Sequence, residues 1–160
     1  MTSISKKIYF ASDQHFGAPT PELSFPREQK FVAWLDEVKK DAEAIFLLGD
    51  LFDFWFEYKT VVPKGFVRVL GKLAEIRDSG IPIYFFVGNH DLWMNDYFEK
   101  ELNIPVFHEN QEYTFHGKTF LVGHGDGKGP GDLGYKRMKK VFTNPFSKWL
   151  FRWLHPDLGV

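Results

Sequence analysis

The sequence contains no cysteine, which excludes disulfides, thiolate zinc sites and cysteine nucleophiles. It also has almost no net charge, since 20 Lys and Arg stand against 21 Asp and Glu for a formal −1. That balance gives no reason to expect a nucleic-acid binder. No apolar run nears the ~20 residues of a membrane span. Met1 to Lys7 is too polar for a signal peptide, and the run from Ile8 breaks at Asp13. The expectation is a cytoplasmic chain in a reducing compartment. With 160 residues, 44% of them apolar and 26% charged, one folded domain with a buried core is expected.

What is present is unevenly distributed. Aromatics are abundant, at 18 Phe, 5 Trp and 6 Tyr. From Gly131 to Val160, Lys136, Arg137, Lys139, Lys140, Lys148 and Arg152 face only Asp132 and Asp157, so a basic, aromatic tail follows an acidic body. Such a tail is expected to meet something the body does not.

Short apolar runs at Ile8–Ala11, Ala44–Leu48 and Ile81–Val87 read as buried strands, with Val106-Phe107 as a fourth. Between them, Arg27 to Asp41 sets Phe31, Trp34, Leu35 and Val38 on one helical face. A second helix is expected with Val67, Leu70, Leu73, Ala74 and Arg77 on one side, stopped by Gly80 and Pro82. A short helix is expected over Trp93–Leu102. Gln111–His116 and Lys118–Val122 alternate around His116-Gly117, which predicts a hairpin. Lys128 to Gly134 reads as a loop. Helices are expected over Leu133–Phe142 and Pro145–Leu154, the latter with Asn144 as N-cap and Pro145 at its first turn. Strands alternating with helices predict a mainly parallel sheet in a layered α/β domain, with ligands collecting where strands end.

Four of these strands run into polar clusters: Asp13 and His15; Asp50 and Asp53; Asn89, His90 and Asp91; His124 and Asp126. In a strand, residues two apart point the same way, so Asp13 and His15 are expected to grip one ion together. Carboxylates, imidazoles and an amide oxygen suit divalent Mn, Fe or Zn. So many acids in one place would repel each other without cations. Asp50, at the end of the central strand, is the expected bridge of a two-metal site. Taken singly, Asp53 and Asp91 could each simply cap a helix. His108, His116 and His155 read as surface or turn residues, and the helical spacing of Phe146, Trp149 and Trp153 reads first as a buried helix face. Phe52, Phe54, Trp55 and Phe56 cannot all face inward from one loop, and either wall the site or pack on a helix.

The elements Asp13-x-His15, Gly49-Asp50-x-x-Asp53, Gly88-Asn89-His90-Asp91 and Gly123-His124 resemble, in that order, the motifs of the calcineurin-like metallophosphoesterases. The resemblance implies a layered α/β/β/α sandwich, with residues 1–130 as the N-terminal part of the core, and the position and composition of residues 131–160 make that segment the expected helical cap. It implies two divalent ions, Mn²⁺ first among them and Fe or Zn as alternatives. Asp13, His15 and Asp50 would bind one ion and Asp50, Asn89 and His124 the other. His90 would donate a proton or bind phosphate, oriented by Asp91, with Asp53 and Asp126 supporting the site from behind. The implied reaction is hydrolysis of a phosphate ester or anhydride by in-line attack on phosphorus.

Gly49-Asp50-Leu51-Phe52-Asp53-Phe54-Trp55, Gly88-Asn89-His90-Asp91-Leu92-Trp93-Met94 and His124-Gly125-Asp126 are similar to the UDP-2,3-diacylglucosamine diphosphatase group. This implies cleavage of a nucleotide-linked lipid A precursor to UMP and diacylglucosamine 1-phosphate, at the inner membrane surface. Arg137, Lys139, Lys140 and Trp149 in the cap are then candidates for contacting phosphate, headgroup or acyl chain. His90 stands where that group has Arg, which keeps open a soluble phosphomonoester, phosphodiester or nucleotide as substrate. The family also has a later Gly-His-x-His motif that nothing after His124 supplies. The expectation is a fragment with weakened metal binding, and an inactive scaffold of the same fold is the remaining alternative.

Overall fold

The computed structural model describes residues 6–126 and 139–153. Strands β1 (Lys7–Ala11), β2 (Ala42–Leu48), β3 (Ile83–Phe86) and β4 (Val106–Phe107) form one parallel sheet in the order β1-β2-β3-β4. β5 (Gln111–Phe115) and β6 (Lys118–Val122) pair separately as an antiparallel hairpin. His116 and Gly117 both have positive φ, as a two-residue turn matched to strand twist requires.

Alternation along the parallel strands decides which layer each residue serves. One face, with Ile45, Leu47, Ile83 and Phe85, packs on helices α1 (Pro21–Val38), α2 (Val67–Asp78) and α3 (Tyr97–Leu102) through Phe31, Leu35, Leu73, Ile76 and Phe98. The opposite face, with Ala44, Phe46 and Phe86, packs on Val122, Tyr113 and Phe115 of the hairpin. The layers run helix, parallel sheet, second sheet, in keeping with the expected α/β class. On the hairpin side Phe10, Phe120 and Leu121 stay exposed.

Several element bounds differ from the expectation. α1 starts six residues before Arg27, because Thr20 caps it and Pro21 fills its first turn. Pro26 lies inside the helix, where it has no N–H for the Glu22 carbonyl, and reads locally as a break. α2 buries Val69, Leu73 and Ile76 and leaves Val67 75% exposed, so its inner face is turned from the one expected. α3 covers only Tyr97–Leu102, because Trp93 and Met94 belong to the loop over the site. Asn144 caps the last helix, α4 (Pro145–Phe151), by accepting from the Phe146 N–H, and residues 139–143 before it are helical. The Lys128–Gly134 loop and Arg137 lie outside the described residues. No helix among the described residues is long and apolar enough to cross a membrane.

Candidate metal centre

The polar clusters meet at the carboxyl ends of β1, β2 and β3 and the end of β6. The chain leaves β1 and β2 side by side. The Asp13 N–H donates to the Gly49 carbonyl at 3.2 Å, His15 N–H to Asp50 O at 2.9 Å and Phe16 N–H to Leu51 O at 2.9 Å. Asp13, His15 and Asp50 all lie in the left-handed region, at φ of 59°, 45° and 52°. That conformation is unfavourable for non-glycine residues and persists where surrounding contacts impose it. The pair Asp13 and His15 therefore converges through a left-handed turn beyond β1, and not through strand alternation as expected. Two glycines let the loops approach. A Cβ on Gly88 would fall 2.1 Å from Asp50 Oδ1, and one on Gly49 would fall 2.7 Å from both Gly88 Cα and His124 Nδ1.

Asp50 is buried, and its Oδ1 accepts from the His90 N–H at 2.9 Å. Its Oδ2 lies 3.7 Å from His15 Nε2 and 3.5 Å from His124 Nε2. His15 Nε2 is also 3.9 Å from Asp13 Oδ1, and His124 Nε2 is 3.3 Å from Asn89 Oδ1. One carboxylate oxygen thus stands between two clusters of donors, Asp13 with His15 on one side and Asn89 with His124 on the other.

The donors fit divalent cations. His124 Nδ1 lies 2.7 Å from the Leu48 carbonyl, which can only accept, so Nδ1 carries the hydrogen and the Nε2 lone pair faces Asp50 and Asn89. Ligating atoms of Asp13, His15 and Asp50 lie within 4.8 Å of one another, as do those of His15, Asp53 and His90. Carboxylates gathered this closely repel each other unless positive charge joins them.

The carboxylates behind this cluster divide their work differently from the expectation. Asp53, not Asp91, meets the His90 ring. His90 Nδ1 donates to the Asp53 carbonyl at 2.8 Å and lies 3.3 Å from Asp53 Oδ1, which is also 3.4 Å from His15 Nδ1. The two imidazoles pack edge to face, with centroids 4.5 Å apart. Asp91 is fully buried, with Oδ1 accepting from Gly88 N–H at 2.6 Å and Oδ2 from Leu51 N–H at 3.0 Å. Its oxygens bind backbone because burial within the motif leaves no path to the ring. Burial, offset in part by those N–H groups, raises its pKa to about 6.

Sequence reasoning passed over one further contributor. The Arg27 guanidinium on α1 donates to the carbonyls of His15 and Ala18, pinning the left-handed loop. No local pattern links Arg27 to His15. Of the aromatic run, Phe52, Trp55 and Phe56 are buried, and Phe54 and Phe56 meet Phe151 of α4, so packing on a helix is the outcome of the two expected. Phe151 also lies 4.7 Å from the Trp93 ring, and Trp93 Nε1–H donates to Phe142 O at 2.7 Å. The segment 142–151 is thereby fastened beside the motif that carries His90. Lys139 reaches Asp126 at 2.7 Å, Lys140 is exposed, and Trp149 is 52% exposed. Phe146 and Trp153 are likewise exposed, so the stripe expected as a buried face is open instead. The reason is that α4 meets Phe54, Phe56 and Trp93 through Phe151, while the stripe occupies its other side.

A fold of this layering with this ordered donor set is that of a metal-dependent phosphoesterase. The model of the family "Calcineurin-like phosphoesterase" matches residues 6–156, and the chain belongs to that family. The chain is 42% identical over 155 residues to a UDP-2,3-diacylglucosamine hydrolase of Porphyromonas gingivalis, covering 96% of this chain and 59% of the relative. It is 32% identical over 143 residues to a UDP-2,3-diacylglucosamine hydrolase of Edwardsiella ictaluri, covering 89% of this chain and 53% of that one. The chain therefore spans between half and three fifths of the length of these relatives. A crystal structure of a protein of unknown function from Aquifex aeolicus is similar with a TM-score of 0.54 at 21% identity, covering 84% of this chain and 71% of that one, and bears on the fold alone.

Proposed function

We propose that the protein carrying this chain hydrolyses the pyrophosphate bond of UDP-2,3-diacylglucosamine to UMP and 2,3-diacylglucosamine 1-phosphate. The observation that carries this reading is Asp50 Oδ2 lying 3.7 Å from His15 Nε2 and 3.5 Å from His124 Nε2, in a chain 42% identical to a hydrolase named for that substrate. Asp13, His15 and Asp50 would hold one divalent ion and Asp50, Asn89 and His124 a second, with Mn²⁺ our first choice and Fe or Zn the alternatives. When bound, two such ions activate water and stabilise charge developing on phosphoryl oxygens.

The chain's own groups supply the rest. Asp50 would serve both ions, since the His90 N–H fixes its buried carboxylate. His124 keeps one tautomer through the Leu48 carbonyl. His90, with Nδ1–H committed to Asp53, presents Nε2 toward solvent, where it would give a proton to the leaving phosphate oxygen or hydrogen-bond a phosphoryl oxygen. Asp53 fixes that orientation. Asp126 is tied to Lys139 and so steadies the cap against the His124 loop. The exposed Trp149, Phe146 and Trp153 with neighbouring Lys140 and Arg152 suit the acyl chains of the substrate and a peripheral position on the cytoplasmic side of the inner membrane.

The test is release of UMP from the diacyl substrate by the full-length protein with Mn²⁺. Turnover that falls at least about a hundredfold in Asp50→Asn supports the reading. Hydrolysis of aryl phosphates alone, indifferent to acyl chains, would move the substrate to a soluble phosphoester. No turnover of either would leave a scaffold.

A further inference from the structure

Beyond β1 the chain makes a tight turn before α1 begins, and α1 folds back over it. The Ala18 N–H closes the turn by donating to the His15 carbonyl at 3.2 Å. Arg27 of α1 donates to the same His15 carbonyl at 2.9 Å and also to the Ala18 carbonyl. Ser24, one helical turn earlier and fully buried, accepts from the Gly17 N–H at 2.8 Å. Phe16 is also fully buried and meets Phe31 of α1 edge to face, with centroids 5.5 Å apart. All four residues from His15 to Ala18 are thus held by one helix.

Asp13 and His15 lie in the left-handed region, which non-glycine residues keep only where neighbouring contacts impose it. A guanidinium on carbonyl oxygens makes charge-assisted hydrogen bonds, stronger than neutral ones. Phe31 and Leu35 in the core keep α1 in place behind it. The donors on the other side of Asp50 are held by different groups. His124 is fixed by the Leu48 carbonyl, and Gly88, next to Asn89, by Asp91. Each half of the centre therefore has its own support, and Asp50 is common to both.

We propose that Arg27, assisted by Ser24, is a positioning residue for one ion only. It keeps the turn in its ligating shape and so sets how tightly Asp13, His15 and Asp50 hold a divalent cation, without setting the affinity at Asn89 and His124. This rests on the reading that the centre holds two ions. Arg27 acts through the backbone of the turn: without it His15 is free to leave the left-handed region, and its imidazole must be ordered again each time an ion binds.

Mn²⁺ is titrated calorimetrically into the metal-free full-length protein and its variants, after thermal unfolding has checked that each folds. Arg27→Met should weaken one of two ions about tenfold and leave the other within about twofold. Placed in Asn89→Ala, it should weaken the remaining ion about tenfold; placed in Asp13→Ala, it should leave the remaining ion within about twofold. Arg27→Lys, which keeps a cation but loses the fork, should lose about threefold, and carries the same comparison should Arg27→Met fail to fold. Arg68→Met is the control, since that guanidinium lies 4.8 Å over the Phe25 ring of α1. Equal weakening in both backgrounds, no weakening in either, or the same pattern in Arg68→Met overturns the proposal. Amide exchange of the metal-free proteins is the readout independent of metal. Residues 15–18 should exchange about tenfold faster in Arg27→Met, with residues 88–91 within about twofold of the parent. If the parent holds fewer than two ions yet exchange responds in this way, the two-ion reading fails and the positioning role stands. If the parent holds two ions and neither affinity nor exchange changes, the positioning role alone fails.

Discussion

Asp91, just beyond β3, accepts a hydrogen bond from the Leu51 N–H just beyond β2, at 3.0 Å across 40 residues of sequence. Its other oxygen holds Gly88. This fully buried carboxylate fixes the spacing between the loops that carry Asp50 and Asn89. Asp91→Asn would turn an amide donor toward one backbone N–H and leave it unsatisfied. The expected cost is about 2–3 kcal/mol of stability, read as a lower urea midpoint with unchanged slope.

The Asp53 carboxylate lies 3.4 Å from His15 Nδ1 and 3.3 Å from His90 Nδ1, while its backbone carbonyl accepts the shorter His90 hydrogen bond at 2.8 Å. Asp53→Asn is expected to lower kcat by roughly 10–100-fold, with a melting temperature close to that of the parent. A variant with full activity would show that the His90 orientation does not depend on this carboxylate.

Much of this arrangement was legible in the sequence because the strands are short apolar runs that each end in glycine or polar residues. Gly49-Asp50 and Gly88-Asn89 mark places where backbones approach and donors gather. What could not be read depended on contacts between distant segments. The left-handed turn at Asp13 and His15 is imposed by hydrogen bonds from β2 and by Arg27. Asp53 and Asp91 are both acids three residues or fewer from a motif centre, and only burial separates the one that meets imidazole from the one that binds backbone. On α2, Val67 and Val69 are equally apolar, and the tilt of the helix on the sheet decides that Val69 goes inside. On α4, spacing identified the aromatic stripe but could not say which side met the core.

Gly88→Ala tests the closeness of the loops. The added methyl would start 2.1 Å from Asp50 Oδ1, so either β3 or Asp50 must move. The expectation is a loss of more than about 2 kcal/mol, or an insoluble protein, measured by denaturation.

Glu28 supplies a pH test away from the metal centre. It is buried in α1, and burial raises its pKa despite Arg68, Ser24 and Arg27 nearby. The folded state therefore holds this proton more tightly than the unfolded chain does. Its contribution is most favourable below the ordinary value of 4.5 and is lost as pH rises through the raised one. Glu28→Gln is expected to gain stability relative to the parent as pH increases from about 4 to 7. Urea melts across that range measure it, and a difference that stays constant or narrows would contradict the burial.

The most direct test is the number of divalent ions held by the full-length protein, determined by elemental analysis after equilibration with Mn²⁺. Two ions per chain are expected in the parent, one in Asp13→Ala and one in Asn89→Ala, and neither held tightly in Asp50→Asn, because Asp50 Oδ2 stands between both donor sets. An Asp50→Asn protein that retains both ions at the parent's affinity would contradict the bridging role.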